Sequence, residues 1–225
     1  MTSRSASMAD KPPVALEDRG EGGDGRRYSP SAERNREAIR DVLRAHLSVP
    51  ARVLEIASGT GEHGAFLVGE MPGLEWTYSD IDGPSLESQR AWRAASGSSQ
   101  LLGPMEVNAA KGDWGVAEAL APWDAIFSAN MVHIAPFEAA EGLIAGAGRL
   151  LRTGGKLVLY GPFGREGIIA PSNAVFDDSL KGRDARWGVR DLDRELLPLA
   201  GKAGLVLETV IQMPANNLTV FFRKD

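Results

Sequence analysis

The spacing of hydrophobic positions changes at Arg52. Before it, Ile39, Val42, Leu43, His46 and Leu47 recur three and four residues apart, the pattern of one apolar helix face. Ser29 followed by Pro30 reads as the N-cap of that helix, with proline in its first turn. After Arg52, short apolar runs alternate with helical patterns. The runs are Val53–Ala57, Leu74–Tyr78, Met105–Val107, Ala125–Ala129, Leu157–Tyr160, Leu205–Ile211 and Leu218–Phe222. Helices are predicted near Gly64–Gly69, Pro84–Ala95, Val116–Leu120, Phe137–Leu151 and Leu192–Ala203. Such alternation predicts an α/β fold, a mostly parallel sheet with helices on both faces. Only Met213-Pro214-Ala215-Asn216-Asn217 separates the last two runs, too short for a helical crossover, so they pair as an antiparallel hairpin. The stretch 162–190 carries no strand pattern yet holds Phe163, Phe176 and Trp187. A segment that long and that aromatic reads as a lid or substrate insertion.

Composition narrows the class. At 225 residues the chain suits one large domain, and 43% apolar with 24% charged residues excludes global disorder, collagen and coiled coil. No run approaches the ~18 apolar residues of a membrane helix. The balance of 25 basic against 30 acidic residues, net −5, lacks the footprint of a general nucleic-acid binder. There is no cysteine, which removes disulfide scaffolds, zinc ribbons and thiol nucleophiles. Three scattered histidines give no metal cluster. The N-terminus has no apolar core of the signal-peptide kind, so a cytoplasmic protein is expected. Residues 1–26, rich in Ser, Gly, Pro, Asp and Arg, read as a disordered leader or expression remnant, with the folded domain over 27–225.

The strongest local signal runs from Val53 to Gly64: an apolar strand, a glycine loop and a helix start. Gly59, Gly61 and Gly64 satisfy the G-x-G-x-x-G dinucleotide pattern, and Asp80 ends the next strand at the distance of a ribose-binding acid. Glu55 argues against a pyrophosphate at this turn, because a carboxylate four residues before Gly59 repels it. The same carboxylate favours S-adenosylmethionine, which carries an ammonium and a sulfonium and no phosphate. The reversed C-terminal hairpin also departs from the plain dinucleotide fold.

The E-x-x-x-G-x-G pattern with its later acid resembles class I methyltransferases over about residues 50–225. A closer likeness joins Ser29–Asn35, Glu55–Gly61, Ser128–Pro136, Tyr160–Phe163, Pro171–Asn173 and Pro214–Asn217. These segments look like the methyltransferase-like 26 family, which is largely without an assigned substrate. The resemblance implies a Rossmann-like seven-stranded sheet with one antiparallel strand, S-adenosyl-L-methionine as cofactor and S-adenosyl-L-homocysteine as product. A small-molecule acceptor methylated on O, N or S is expected, with no nucleic-acid or membrane partner, the protein being a monomer or homodimer.

Residue by residue, Asp80 is similar to the class I acid that takes both ribose hydroxyls; a turn aspartate before Gly83-Pro84 is the alternative, and Asp82 the backup. With Asp80 go its neighbour Ile81 and the loop residues Gly59, Thr60 and Gly61. Glu55 faces the cofactor's cationic end, or simply ends its strand. Asn108 stands where many class I enzymes carry an adenine-binding Asp, and can accept only without charge. Asn130 ends the fourth strand, beside the transferable methyl. Arg34 and Asn35 on the first helix would close over the cofactor, Arg34 pairing with its carboxylate. His133 is the candidate general base, its ordinary pKa near ~6.5 suiting proton removal at neutrality; packing against the lid is the alternative. His46 reads as structural and His63 as orienting the glycine loop. Tyr160, Phe163, Asn173, Trp187, Asn216 and Asn217 would form an acceptor pocket of aromatic walls and neutral amides. Two other functions fit the same signals: a non-catalytic protein that binds S-adenosylmethionine or S-adenosylhomocysteine, and an NAD(P)-binding oxidoreductase.

Overall fold

The structure is a computed structural model that describes residue 20 and residues 22–225. Most of the expected leader, residues 1–19 and 21, lies outside the described residues. Residues 22–26 close a turn, the Gly22 N–H donating to the Arg26 carbonyl at 2.7 Å, and the Arg26 guanidinium lies over the Trp92 ring at 4.8 Å.

Local chemistry sets the helix starts. Helix α1, Pro30–His46, begins where Ser29 Oγ accepts from the Ala32 N–H at 3.3 Å. Helix α3, Gly83–Ser96, begins where the Asp82 carboxylate accepts from the Ser85 N–H at 3.0 Å, with Pro84 in the first turn. Helix α2 is Glu62–Glu70, α4 is Val116–Ala119 and α5 is Phe137–Leu150. The last two helices are α6, Pro171–Arg183, and α7, Leu197–Lys202, which a short π-helical turn at Leu192–Leu196 precedes.

Seven strands form one sheet: β1 Ala51–Glu55, β2 Leu74–Asp80, β3 Leu101–Glu106, β4 Trp123–Ala129, β5 Leu151–Gly161, β6 Leu205–Gln212 and β7 Leu218–Lys224. Their order is β3-β2-β1-β4-β5-β7-β6. The first five run parallel, and β7 pairs antiparallel with both β5 and β6. This is the mostly parallel seven-stranded sheet with a reversed strand beside one edge that the sequence pattern predicts.

Alternate strand residues feed two cores, as the two-residue period requires. Leu54, Ile126, Leu157 and Phe222 join Leu143, Ile144 and Ala147 of α5 on one face. Val53, Phe127, Val158 and Phe221 join Ile39 and Leu43 of α1 and Leu67 of α2 on the other. The sheet order brings the carboxyl ends of β1, β2 and β4 side by side, with the chain reversing between β1 and β4, where open α/β sheets bind ligands.

The stretch 162–190 is not without regular structure: it contains α6. That helix has no apolar period to announce it. Its buried positions are Asn173, Asp177 and Leu180, so two of three are polar. Hydrogen bonds rather than an apolar stripe seat it.

Candidate functional site

At the carboxyl end of β1 the backbone leaves the sheet and turns back into α2. Gly61, with φ +92°, starts that helix in the left-handed region open to glycine. Gly64 lets α2 lie on the sheet: a Cβ there would stand 2.4 Å from the Tyr78 ring and 2.6 Å from the Trp76 ring. The loop carbonyls are tied from behind. Gly59 O accepts from Gln89 Nε2 at 3.0 Å, Thr60 O from Ser88 Oγ at 2.7 Å, and Gly61 O from the Tyr78 hydroxyl.

In front, the loop meets Asp80 at the end of β2. Asp80 Oδ2 accepts from the Gly59 N–H at 2.9 Å, and Oδ1 from the N–H groups of Ile81 at 2.8 Å and Asp82 at 3.1 Å. Three backbone donors fix the carboxylate. Burial still holds its pKa above the usual range, against the pull of those N–H groups.

Glu55 closes the floor. It is 1% exposed, and Oε2 accepts from Trp76 Nε1 at 2.9 Å. Burial pushes its carboxyl up to about 8, so it rests largely protonated at neutrality. His63 Nδ1 stands 3.9 Å from Glu55 Oε1, and its Nε2 lies 2.7 Å from Asn35 Oδ1. Burial, with Arg36 nearby, lowers His63 to about 4. The ring is then neutral, and Nε2–H donates to Asn35. The chain Asn35–His63–Glu55–Trp76 thus joins α1 to the sheet beneath the glycine loop.

These groups line one cavity of about 1070 Å³. Its first half holds Glu55, Gly59, Thr60, Asp80, Ile81 and Asn108, with Arg34 and Asn35 entering from α1. Its second half holds Asn130, Tyr160, Asn173 and Trp187, with Phe176 and Asn217. Of the seventeen residues put forward for the site from sequence, thirteen therefore meet at one cavity. Asn108 Oδ1 already accepts from the Ala110 N–H at 3.0 Å, which closes a turn and leaves its Nδ2 for other contacts. Asn130 follows β4 with φ +62°, a left-handed conformation in which asparagine is at home. Burial raises the Tyr160 hydroxyl, while Asn35 and Asn217 bond to it and Arg34 acts in the opposite sense.

Four expected residues do not line the cavity. Gly61 lies behind it as the cap of α2. Phe163 is buried in the apolar core, edge-on to His133 with ring centroids 4.8 Å apart. Asn216 supports from outside: its carbonyl accepts from Asn173 Nδ2 at 2.9 Å, and its Nδ2 donates to Ser172 Oγ at 2.9 Å. His133 is the main correction. It is fully buried, its Nδ1 accepts from the Arg190 N–H at 3.2 Å, and its Nε2 has no partner. Burial, with Arg190 beside it, lowers it to about 3. A ring so placed packs the loop after β4 and is not among the residues that line the cavity.

Other side chains give no motif-level signal. Ser88 and Gln89 occupy an ordinary helical pattern, and only the fold turns them onto the glycine loop. Ser29 carries a capping signal, but its N–H also donates to Glu62 Oε2 at 2.5 Å, and Thr60 Oγ1 donates to the same oxygen at 2.9 Å. Among the described residues no group of acidic and histidine side chains is spaced to hold a metal ion, and no helix is long and apolar enough to cross a membrane.

Solved structures share this fold. An O-methyltransferase family 2 protein from Planctomyces limnophilus, solved with apigenin, is 19% identical with a TM-score of 0.72; the match covers 87% of this chain and 58% of that one. An O-methyltransferase family protein from Burkholderia thailandensis is 16% identical with a TM-score of 0.71, covering 87% and 57%. CalO1, a methyltransferase in calicheamicin biosynthesis solved with S-adenosylhomocysteine, is 18% identical with a TM-score of 0.67, covering 87% and 55%. The chain spans just over half the length of these proteins, and at such identity the likeness is one of fold. A family model described as "Protein of unknown function (DUF938)" matches residues 26–224, nearly the whole chain, and the protein belongs to that family.

Proposed function

We propose that the protein is an S-adenosylmethionine-dependent methyltransferase acting on a small molecule, close in kind to the methyltransferase-like 26 group. The observation that carries this reading is the meeting of the buried Glu55, the glycine loop and the N–H-fixed Asp80 at one cavity, with a second, separate wall beyond β4. A volume of about 1070 Å³ exceeds the ~300–1,000 Å³ typical of a pocket for one drug-sized ligand, leaving room for a donor and an acceptor together.

The residues fit the cofactor. Asp80 keeps one lone-pair site, on Oδ2, to accept a ribose hydroxyl in a charge-assisted bond. Glu55 meets the cationic end and ionises when an ammonium replaces its proton. Arg34 offers a two-pronged contact to a carboxylate. Asn35 steadies His63 under Glu55, Ile81 covers the edge of the ring system, and Asn108 contacts the base. The bound cofactor supplies a methyl group on a positively charged sulfur, an intrinsically good leaving system. What the protein adds is orientation and exclusion of water. Among the described residues, those facing the cavity beyond β4 include no carboxylate and no histidine, so none of them is an ordinary general base.

Calorimetric titration tests this. S-adenosylmethionine and S-adenosylhomocysteine are expected to bind at micromolar concentrations and NADH not at all. Binding of NADH alone would overturn the reading and restore the oxidoreductase.

A further inference from the structure

Charge is divided sharply across the cavity. Among the described residues, the three carboxyl groups that line it, Glu55, Asp80 and Asp82, belong to β1, β2 or the turn after β2. Its two arginines, Arg27 and Arg34, enter with α1 and the segment before it. Beyond β4 the polar and aromatic wall is Asn130, Tyr160, Asn173, Phe176, Trp187 and Asn217. Among the described lining residues, this half holds no carboxylate, lysine, arginine or histidine. Tyr160 is its one titratable group, and burial holds that proton more tightly than usual.

We infer that the acceptor is an uncharged, planar heteroaromatic compound and that it is methylated on a ring nitrogen; this rests on the methyl-donor reading above.

Three arguments carry it. First, a charged acceptor would leave water for a wall without a counter-charge, which is costly. Arg34, whose charge reaches Tyr160, is read above as holding the donor's carboxylate. Second, Tyr160, Phe176 and Trp187 bring aromatic rings to this wall, and the amides beside them are neutral, with Asn173 and Asn217 already donating to backbone carbonyls at 2.9 and 3.0 Å. Third, a hydroxyl acceptor must lose a proton, and nothing in this half takes one. His133 is buried away from the cavity, and His63 lies under the donor half with Nε2 committed to Asn35. A ring nitrogen presents its lone pair with no proton to lose.

The step balances without acid or base. The nitrogen lone pair forms the new C–N bond, the C–S bond breaks, and its electron pair stays on sulfur as a neutral thioether. The positive charge passes from sulfur to the ring.

The test uses the full chain saturated with S-adenosylhomocysteine, titrated calorimetrically with quinoline, 2-naphthoate and N-methylquinolinium. These share a shape and differ in charge. Quinoline is expected to bind at least tenfold more tightly than either ion. Equal or tighter binding of naphthoate assigns Arg34 to the acceptor and overturns the inference; so does equal or tighter binding of the cation, or no binding of quinoline up to its solubility. Next, S-adenosylmethionine is supplied with equal quinoline and 1-naphthol, and the products are read by mass spectrometry. N-methylquinolinium is expected; methoxynaphthalene instead, or no N-methyl product, overturns the nitrogen assignment. The initial saturation separates the two levels. Failure to bind S-adenosylhomocysteine removes the methyl-donor reading and this inference with it, whereas saturation followed by the wrong ring preference removes this inference alone.

Discussion

The two halves of the cavity are built by different means. The half over β1 and β2 is fixed by backbone: Asp80 takes three N–H groups, and the carbonyls of Gly59, Thr60 and Gly61 are held by Gln89, Ser88 and Tyr78. The side chains that make these bonds, Asp80, Tyr78, Ser88 and Gln89, all lie on β2 or on α3 beside it. The half beyond β4 is assembled by contacts distant in sequence. Asn173 Nδ2 reaches the Asn216 carbonyl across 43 positions, and the Gly188 N–H donates to the His133 carbonyl at 2.9 Å. The Arg190 guanidinium donates to the carbonyls of Val132 at 3.0 Å and Ala135 at 2.9 Å. The first arrangement cannot change without disturbing the sheet. The second can exchange side chains while the sheet stands, as a specificity-setting wall requires.

The largest effect expected from breaking this division is at Asp80. Asp80→Ala removes the proposed ribose acceptor and leaves the Gly59 N–H without its partner. Affinity for S-adenosylhomocysteine should fall at least tenfold, in line with ~1.5–3 kcal/mol for a hydrogen bond to a charged group. Calorimetry should show the ring ligands of the other half nearly unaffected. Parallel loss in both halves would mean that the division is not functional.

A smaller and pH-dependent effect is expected at Glu55. Its folded pKa, about 8, lies above the usual carboxylate value. The stability gained by keeping it neutral is therefore full below the unfolded pKa and is lost as pH rises through about 8. An ammonium ligand, in contrast, binds the ionised form, so affinity should rise over the same interval and binding should release a proton. Glu55→Gln should flatten the pH dependence, lower S-adenosylmethionine affinity several-fold, and raise Tm at pH 8. Calorimetry in buffers of differing ionisation enthalpy reads the proton, and thermal unfolding reads the stability.

The same division governs how much was legible in the sequence. Glu55 and Asp80 end β1 and β2, and Gly59 stands in the loop after β1; apolar runs and glycine spacing mark all three, although the run Val53–Ala57 overshoots β1 by two residues. All seven strands announced themselves for that reason, and the short link between β6 and β7 dictated the reversal. Helix α6 stayed hidden because polar groups, Asn173 and Asp177, seat it. Asn130, Tyr160 and Trp187 were placed at the cavity through family likeness, and no periodicity points to them. Phe163 and Asn216 came with the same motifs but sit behind the wall. A motif marks a stretch of chain, whereas which side of a loop faces the cavity depends on partners far away. Gln89 shows the converse: it is buried beneath the glycine loop, yet in sequence it is one polar residue on a helix.

The smallest effect is expected at His133, and it decides whether that residue belongs to the chemistry or to the wall. Its Nδ1 accepts from the Arg190 N–H, so the proton sits on Nε2, which finds no acceptor and faces the space beside Gly161 and the Phe163 ring. Protonation would add a charge to a fully buried site, which is why burial lowers the ring to about 3. A group whose pKa is depressed by folding contributes stability that is full above its unfolded value, near ~6.5, and is lost as pH falls through the folded value. His133 should therefore steepen acid unfolding between about pH 6.5 and 3. His133→Asn keeps an oxygen for the Arg190 N–H and removes the titrating ring. Equilibrium unfolding in urea at stepped pH should show a shallower acid limb for this variant, by about one proton, with S-adenosylhomocysteine affinity unchanged within about twofold. An unchanged acid limb together with a large loss of turnover on a confirmed acceptor would return His133 to the role of base and remove the distinction between the wall and the groups that act within it.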